Sequence, residues 1–331
     1  MIQQLSDHID QLDLALDQLA LRDRNYDRFA LLLIDNVVEL VLHQHAQDKN
    51  AEKEMWRRLD KQPHDPKALT AALGQHFDAK VAFAASSALI TTEIADSIQR
   101  LHSFRNTAYH RGLRHEGILH SLALFYFRNA CVLLISYAPP WWGWHSNDKI
   151  SHRAAKYLGA SNLIDPKKRF DAAWKRLDEV AVGMGDTLVA DLHSDMQATI
   201  DRADREITFL LDGMPEGSDR DDVVISSQAW PFAFTEEGKA CAKNNSCPER
   251  LSVSDYVTWL ADNYPWIHKR DPIPSWKSRL SSLEKEKSPH QALTKYSEFI
   301  GQTEKLREQL SESAAQYDAE IQRQIDVARG K

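Results

Sequence analysis

The chain has 331 residues, 43% of them hydrophobic and 27% charged, which is ordinary for a globular protein and enough for one large or two modest domains. The 41 basic and 48 acidic residues give a net charge of −7, which argues against a surface coated in positive charge for non-specific nucleic-acid binding. Three cysteines are too few for a disulfide framework, and the first residues contain no basic segment followed by an apolar core, so we expect a cytoplasmic protein.

Helical periodicity runs through the first part of the chain. With only 12 glycines and few alternating apolar runs there is little room for a sheet, so we expect an all-α fold. The most apolar run, from Ile118 to Pro140, contains His120, Arg128 and Asn129, which favours a buried core helix over a membrane span. The pattern predicts a helix over 2–21, a second over 27–45, a short helix and loop over 46–65, helix from 66 to about 109 with a break near Gly74, and a core helix over 113–138.

The second half is less regular. We expect a helical hairpin from 165–180 and 187–213, a short strand at 223–225, irregular structure over 228–250, and a short helix over 254–263. From Trp276 onward the chain is helical and highly charged, with an interruption near Gly301. Its final apolar line, from Leu306 to Ile325, either packs back on the body or forms a coiled-coil arm.

These patterns suggest three regions. Residues 1–140 form a helical bundle, residues 141–275 a mainly helical region with irregular segments, and residues 276–331 a charged carboxy-terminal helical arm. The tryptophans of Trp141-Trp142-Gly143-Trp144 mark the first boundary, where they either seal an interface or stack on bases.

The helix over 27–45 carries its polar residues in one narrow stripe. Asp35, Asn36, Glu39 and His43 lie on it, while the rest of the helix is apolar. Polar groups on a buried helix need partners, and an arginine from another helix is the natural one.

Residues 98–115 concentrate positive charge in an acidic chain. The stretch holds Arg100, His102, Arg105, His110, Arg111, Arg114 and His115. Such a cluster predicts a local anion site.

Within this stretch, Arg105-Asn106-Thr107-Ala108-Tyr109-His110 has an R-x4-H spacing with a small polar second residue. Here residues 1–138 resemble the HEPN superfamily of small helical domains, and Asp35-Asn36-Val37-Val38-Glu39-Leu40 is similar to the second helix of these proteins. The resemblance implies a HEPN-like bundle, a metal-independent ribonuclease without a cofactor, and a homodimer that pools two motifs in one cleft.

The motif residues suit metal-free RNA cleavage. An arginine offers a charged fork for phosphate, and a histidine can give or take a proton near neutral pH. We therefore assign Arg105 to phosphate binding, His110 to proton transfer and Asn106 to orienting either the histidine or the phosphate. Tyr109 stacks on a base or packs, and supporting or RNA-binding roles are expected for Asp35, Asn36, Glu39, His102, Arg111 and Arg114.

A structural interpretation competes with catalysis at the same residues. Arg105 could be held in an ion pair with Asp35 or Glu39, and His110 could be a satisfied helix-end residue. The structural and catalytic interpretations are compatible if the carboxylate orients the arginine side chain for catalysis. Because residues five apart on a straight helix lie about 140° apart, Arg105 and His110 need a helix end between them, or a second copy of the motif, to act together.

Three functions remain open. The first is an endoribonuclease acting on single-stranded RNA or tRNA, as a toxin or anti-phage effector controlled by its second region, an antitoxin or another regulatory partner. The second is a non-catalytic HEPN-like module that binds a nucleotide, RNA or a protein. The third is a structural interaction protein organised by the carboxy-terminal helices. No metal site is expected, since Cys241 and Cys247 lack zinc spacing and His102, His115 and His120 have no ligand partners in sequence.

Overall fold

The structure is a computed structural model that describes residues 1–57, 64–110, 116–143, 149–159 and 165–330, without the side chains of 54–57, 108–110 and 116. Within these residues the chain forms 14 α-helices, one short 3-10 helix and no strand. The expected all-α class is confirmed for this part of the chain.

The chain divides into two compact units. The first unit comprises Met1–Leu192 with Lys287–Thr294, and the second comprises His193–Glu286 with Lys295–Lys331. Residues 141–192 thus group with the amino-terminal helices, whereas the sequence pattern suggested a boundary after residue 140.

Eight helices lie wholly in the first unit. In chain order they are α1 (Ile2–Ala20), α2 (Arg24–Arg57), α3 (Pro66–Ala72), α4 (Phe77–Ser86), α5 (Thr92–His110), then after a 3-10 turn at Glu116–Ile118, α6 (Leu119–Ser136), α7 (His152–Leu158) and α8 (Pro166–Gly183). Helix α2 packs on α1 and α6, and α6 packs on α8. Helix α6 is therefore the central core helix that its apolar sequence predicts.

Helix α2 is longer than the sequence indicated. It continues through the charged segment to Arg57, where a separate short helix and loop were expected. No glycine or proline interrupts residues 46–57, and Lys49 pairs with Glu52 one turn later at 3.0 Å, so the polar half extends the same helix. The expected break near Gly74 is confirmed, between α3 and α4.

The second unit is also built of helices. Helix α9 (Leu188–Leu211) precedes α10 (Arg220–Ala233), α11 (Glu236–Asn244), α12 (Val253–Asn263), α13 (Ile273–Glu284) and α14 (Pro289–Ala328), and both α9 and α14 contribute residues to both units. The expected strand at 223–225 is wrong, because Asp219 and Asp222 form a capping box that starts α10. The irregular structure expected over 228–250 is also wrong, since α10 and α11 occupy most of it.

Helix α14 runs unbroken for 40 residues. The interruption expected near Gly301 is wrong, because the break lies before Pro289, a residue suited to a first helical position. Leu306 and Leu310 are buried, and Tyr317 contacts Phe209 with ring centroids 5.2 Å apart. This part of the apolar line therefore packs back on the second unit.

Two helices of the first unit are long and apolar enough to cross a membrane, Arg24–Lys53 and Leu119–Ser136. Their most apolar windows are 56% and 72% buried inside the fold, as in core helices of globular proteins. Neither is clearly a membrane span.

The tryptophan cluster and the cysteines have ordinary surroundings where they are described. Trp142 contacts Phe170 with ring centroids 5.7 Å apart, whereas Trp141 is exposed and Trp144 lies outside the described residues. Cys241 and Cys247 are free thiols.

One buried histidine makes the fold sensitive to acid. His8 on α1 is 2% exposed, and its Nδ1 has no hydrogen-bond partner among the described residues. Burial lowers the pKa of His8 to about 4. The imidazole is therefore neutral in the folded protein at neutral pH.

We expect His8 to reduce stability as the pH falls. The unfolded chain binds a proton near pH 6.5 and the folded chain only near pH 4, so the stabilisation is complete above pH 6.5 and is lost on acidification. The loss attributable to His8 between pH 7 and pH 5 is about 2 kcal/mol. Urea unfolding at both pH values measures it.

The His8→Gln variant should show a pH dependence weaker by that amount, because glutamine does not titrate. The matched control is His152→Gln, which removes an exposed histidine and should leave the pH dependence unchanged. Equal pH dependence in wild type and His8→Gln would contradict the assignment.

Candidate active site

Asp35 is the centre of a polar network inside the first unit. Its side chain is fully buried on α2, Oδ1 accepts a hydrogen bond from the Tyr126 hydroxyl at 2.8 Å, and the same oxygen lies 2.8 Å from His102 Nδ1. Oδ2 lies 3.1 Å from Arg105 Nε. These four residues, from α2, α5 and α6, are called the Asp35 network below.

The positions of His102 and Arg105 along α5 allow both side chains to reach Asp35 on α2. His102 and Arg105 are three residues apart on α5 and share a face of that helix. Ile98 and Leu101 bury the neighbouring positions in the core. Burial of the apolar residues therefore turns both cationic side chains toward α2.

His102 is fixed from two directions. Its ring stacks on Phe77, with centroids 3.8 Å apart and planes 7° apart, and its Nδ1 faces Asp35. A carboxylate accepts hydrogen bonds and cannot donate them, so Nδ1 carries the proton and donates it. The second nitrogen, Nε2, makes no hydrogen bond to a described residue.

Tyr126 completes the set of donors around Asp35. Burial and the nearby Asp35 charge raise the pKa of Tyr126 far above its usual range, so the hydroxyl stays protonated. The sequence pattern did not identify Tyr126 as a site residue. The available signal was a hydroxyl in an otherwise apolar core helix, which needs a buried acceptor.

Arg105 is held by its neighbours and remains partly open. Nη1 donates to Asn106 Oδ1 at 2.8 Å, and the side chain is 27% exposed. Nε and Asp35 Oδ2 are within ion-pair distance, but neither atom has a well-aligned hydrogen bond. The contact with Asp35 is thus mainly an attraction between charges, and the fork keeps donors for another anion.

The polar stripe of α2 separates into three environments. Asp35 reaches Arg105, as expected, whereas Glu39 pairs with the buried Lys80 of α4 at 2.7 Å. Asn36 is exposed and donates to Gln11 Oε1 of α1 at 2.8 Å. Residues 35 and 36 differ by about 100° around a helix, so one faces the core and the other faces outward.

A second carboxylate and histidine pair joins α2 to α6. His120 Nδ1 lies 2.9 Å from Asp27 Oδ1, and its buried Nε2 has no hydrogen-bond partner among the described residues. The sequence pattern gave no indication of this pair. It connects the start of α2 to the start of α6.

The remaining motif residues are only partly described. Arg111, Arg114 and His115 lie outside the described residues, and so do the side chains of Tyr109 and His110. Helix α5 includes His110 and is unbroken from Arg105, so of the two alternatives, a helix end between the positions or a second copy of the motif, the helix end is not found. Positions 105 and 110 are thus about 140° apart around one helix axis.

The charges of the network define what it can hold. Asp35 and Arg105 carry opposite charges, and the partly exposed guanidinium of Arg105 keeps N–H donors, so Arg105 is the group of the network that can contact an anion. Among the described residues, no group of three or more His, Cys, Asp or Glu side chains is placed to hold a metal ion. The available chemistry there is hydrogen bonding, charge stabilisation and proton transfer by side chains.

Comparison with known proteins adds no assignment. No protein-family model matches the chain, and no curated protein or solved structure matches it at a significant level.

Proposed function

We propose that the chain is a HEPN-type endoribonuclease, whose motif from Arg105 to His110 cleaves RNA by attack of a 2′-hydroxyl on the neighbouring phosphate. The observation that carries the proposal is the preorganised Arg105, which Asp35 and Asn106 hold while the guanidinium stays partly exposed. Fixed donors stabilise developing charge more effectively than donors that must first be ordered.

Each step has a candidate group in the motif. A histidine, which we assign as His110, takes the proton of the 2′-hydroxyl, and the 2′-oxygen then bonds to phosphorus while the bond to the 5′-oxygen breaks. A protonated histidine supplies the proton to that leaving oxygen. Arg105 binds the phosphate oxygens on which charge accumulates. The products are a 2′,3′-cyclic phosphate and a 5′-hydroxyl.

The geometry of α5 leads us to propose a homodimer. Because positions 105 and 110 are about 140° apart on an unbroken helix, the arginine of one copy is expected to work with the histidine of another. The outward face of α2 that carries Asn36 also exposes Phe29 and Leu40, 55% and 40% respectively. This apolar surface is available for a second copy.

His102 enters the proposal as a positioning residue. The carboxylate of Asp35 contacts both His102 Nδ1 and Arg105 Nε. The stacking of His102 on Phe77 limits how far the imidazole ring can move. We infer that His102 and Tyr126 set the orientation of Asp35, which in turn sets the orientation of Arg105.

A non-catalytic module that binds a nucleotide, RNA or a protein is the second candidate. The ion pair of Arg105 with the fully buried Asp35 favours it, because such a pair also serves to hold two helices together. This candidate predicts binding without cleavage.

The proposed biological setting rests on the resemblance to the HEPN superfamily. We propose a cytoplasmic toxin or anti-phage effector, restrained by its own second unit, an antitoxin or another regulatory partner. The first test is incubation of the purified chain with RNA in the presence of EDTA. Cleavage is expected to persist, because the acting groups are side chains.

A further inference from the structure

The second unit contains a cleft apart from the Asp35 network. It has a volume of about 650 Å³ and lies between the segment 266–272, the first turns of α13 and the part of α14 around Gln302. Binding sites for small molecules commonly enclose about 300–1,000 Å³. The cleft is therefore large enough for one small organic ligand.

The segment 266–272 is held in place by hydrogen bonds. Trp266 Nε1 donates to the Ala261 carbonyl at 3.0 Å, and Gln228 Nε2 donates to the His268 carbonyl at 2.7 Å. The backbone N–H of Asp271 donates to Asp221 Oδ1 at 2.7 Å. One wall of the cleft is thus preformed, which lowers the entropic cost of binding.

The charge of the lining is positive. Lys269 and Arg270 are exposed and form no ion pair with a described residue, and Arg279 is the third cation of the lining. The carboxylate of the lining, Asp271, is already engaged, because Arg220 Nε lies 2.6 Å from its Oδ2. An anionic ligand would compensate the remaining positive charge.

Arg279 is oriented before any ligand binds. Its guanidinium lies over the Phe299 ring, 5.3 Å from the centroid, and Nη1 donates to Gln302 Oε1 at 3.0 Å. A fixed arginine fork matches two oxygens of a phosphate group. The cleft also borders the start of α13, where Ser275 brings a hydroxyl and Asp271 Oδ1 already accepts a hydrogen bond from the Ile273 N–H.

The rest of the lining is mixed, with His268, Gln302 and Thr303 beside apolar residues. Ile267, at 86% exposed, is the most exposed large apolar side chain of the lining, whereas Trp266 and Trp276 are buried and present only small parts of their side chains to the cleft. A ligand made only of phosphate would leave Ile267 unused. A ring system attached to phosphate would contact both the cations and Ile267.

We propose that this cleft binds a nucleotide, through Lys269, Arg270 and Arg279 on the phosphates and Ile267 beside the base. The proposal does not depend on RNA cleavage by the first unit. It gives the second unit a ligand-binding role, and a ligand there could serve as a signal.

Isothermal titration of the full chain with ATP, GTP, AMP, adenosine and inorganic phosphate tests the proposal. ATP or GTP should bind more tightly than AMP, and adenosine and phosphate should each bind more weakly than AMP. The double variant Lys269→Gln/Arg270→Gln should weaken binding of the tightest nucleotide by about tenfold or more, because two phosphate contacts are lost. Both residues are exposed, so the fold should be unaffected.

The matched control is Lys243→Gln/Arg329→Gln, which removes the same charge from exposed positions of the second unit that do not line the cleft. It should bind the nucleotide as wild type does. Absence of binding by all four phosphate-bearing probes, or equal weakening in both double variants, would overturn the proposal. So would RNA that binds the cleft while mononucleotides do not.

Discussion

Replacing Arg105 by alanine is expected to slow RNA cleavage by about 100-fold or more, the usual effect of removing one preorganised donor from a developing anion. Arg105→Lys should restore only part of the rate, since lysine keeps the charge but loses the fork. The rate of cleavage of a labelled single-stranded RNA by each purified variant measures both effects. Circular dichroism on the same samples reports whether the variants are folded.

The chain offers a close control for this variant. Arg153 also pairs with a buried aspartate, Asp13, at 2.6 Å, and that aspartate also accepts a hydrogen bond from a tyrosine, Tyr157. Arg153→Ala should leave cleavage unchanged, and Asp13 keeps Lys156 as an ion-pair partner at 3.1 Å in that variant. Equal activity of Arg105→Ala and wild type would remove Arg105 from the reaction.

Mixing inactive subunits extends the same test to the dimer. A heterodimer of Arg105→Ala and His110→Ala subunits keeps one arginine and one histidine on opposite copies. If the two residues act across the interface, this heterodimer should be more active than either parent. A heterodimer as inactive as its parents would mean that the residues do not act in trans.

Replacing Asp35 by alanine is expected to destabilise the protein by about 3 kcal/mol or more, as for other buried ion pairs that lose one partner. The fully buried carboxylate meets Arg105, His102 and Tyr126, and its removal leaves His102 and Tyr126 without their acceptor and Arg105 without its counter-charge. Urea unfolding at pH 7 measures the loss.

Two variants make this second prediction specific. Asp17→Ala breaks an ion pair with Arg153 in which the aspartate is 53% exposed, so it should cost below about 1 kcal/mol. The double variant Asp35→Ala/Arg105→Ala should cost less than the sum of the single variants, because both charges of one pair are removed. A loss in Asp35→Ala as small as that in Asp17→Ala would show that the network contributes little.

The sequence was sufficient to predict the helices whose apolar residues are regularly spaced. Helices α1 and α6 follow directly from that spacing, because burial of an amphipathic or wholly apolar helix largely decides its location. The segment 223–225 was mistaken for a strand because its β-branched residues favour strands locally, while the capping box of Asp219 and Asp222 outweighs that preference.

At Gly301 the low helix propensity of glycine suggested an interruption, but the helix continues. Glycine is unfavourable inside a helix, yet Phe299 and Thr303 on either side of it are buried, and their packing holds α14 together across it. Local propensity is a weak guide where tertiary contacts are this extensive.

The candidate site was predictable in part. A buried carboxylate on a helix needs a cation, which was enough to predict that Arg105 pairs with Asp35 or Glu39, and the structure pairs it with Asp35. The contact of Tyr126 with Asp35 joins residues 91 positions apart, and the contact of Phe77 with His102 joins two consecutive helices. Such contacts depend on how whole helices pack, which periodicity alone does not specify.

Incubation of RNA, and of DNA of the same mixed sequence, with the purified protein in EDTA tests the proposed activity most directly. The account predicts cleavage of the RNA alone, with 2′,3′-cyclic phosphate and 5′-hydroxyl ends, because the attacking group is the 2′-hydroxyl. Intact RNA after incubation, equal cleavage of the DNA, or activity that disappears with EDTA would contradict it.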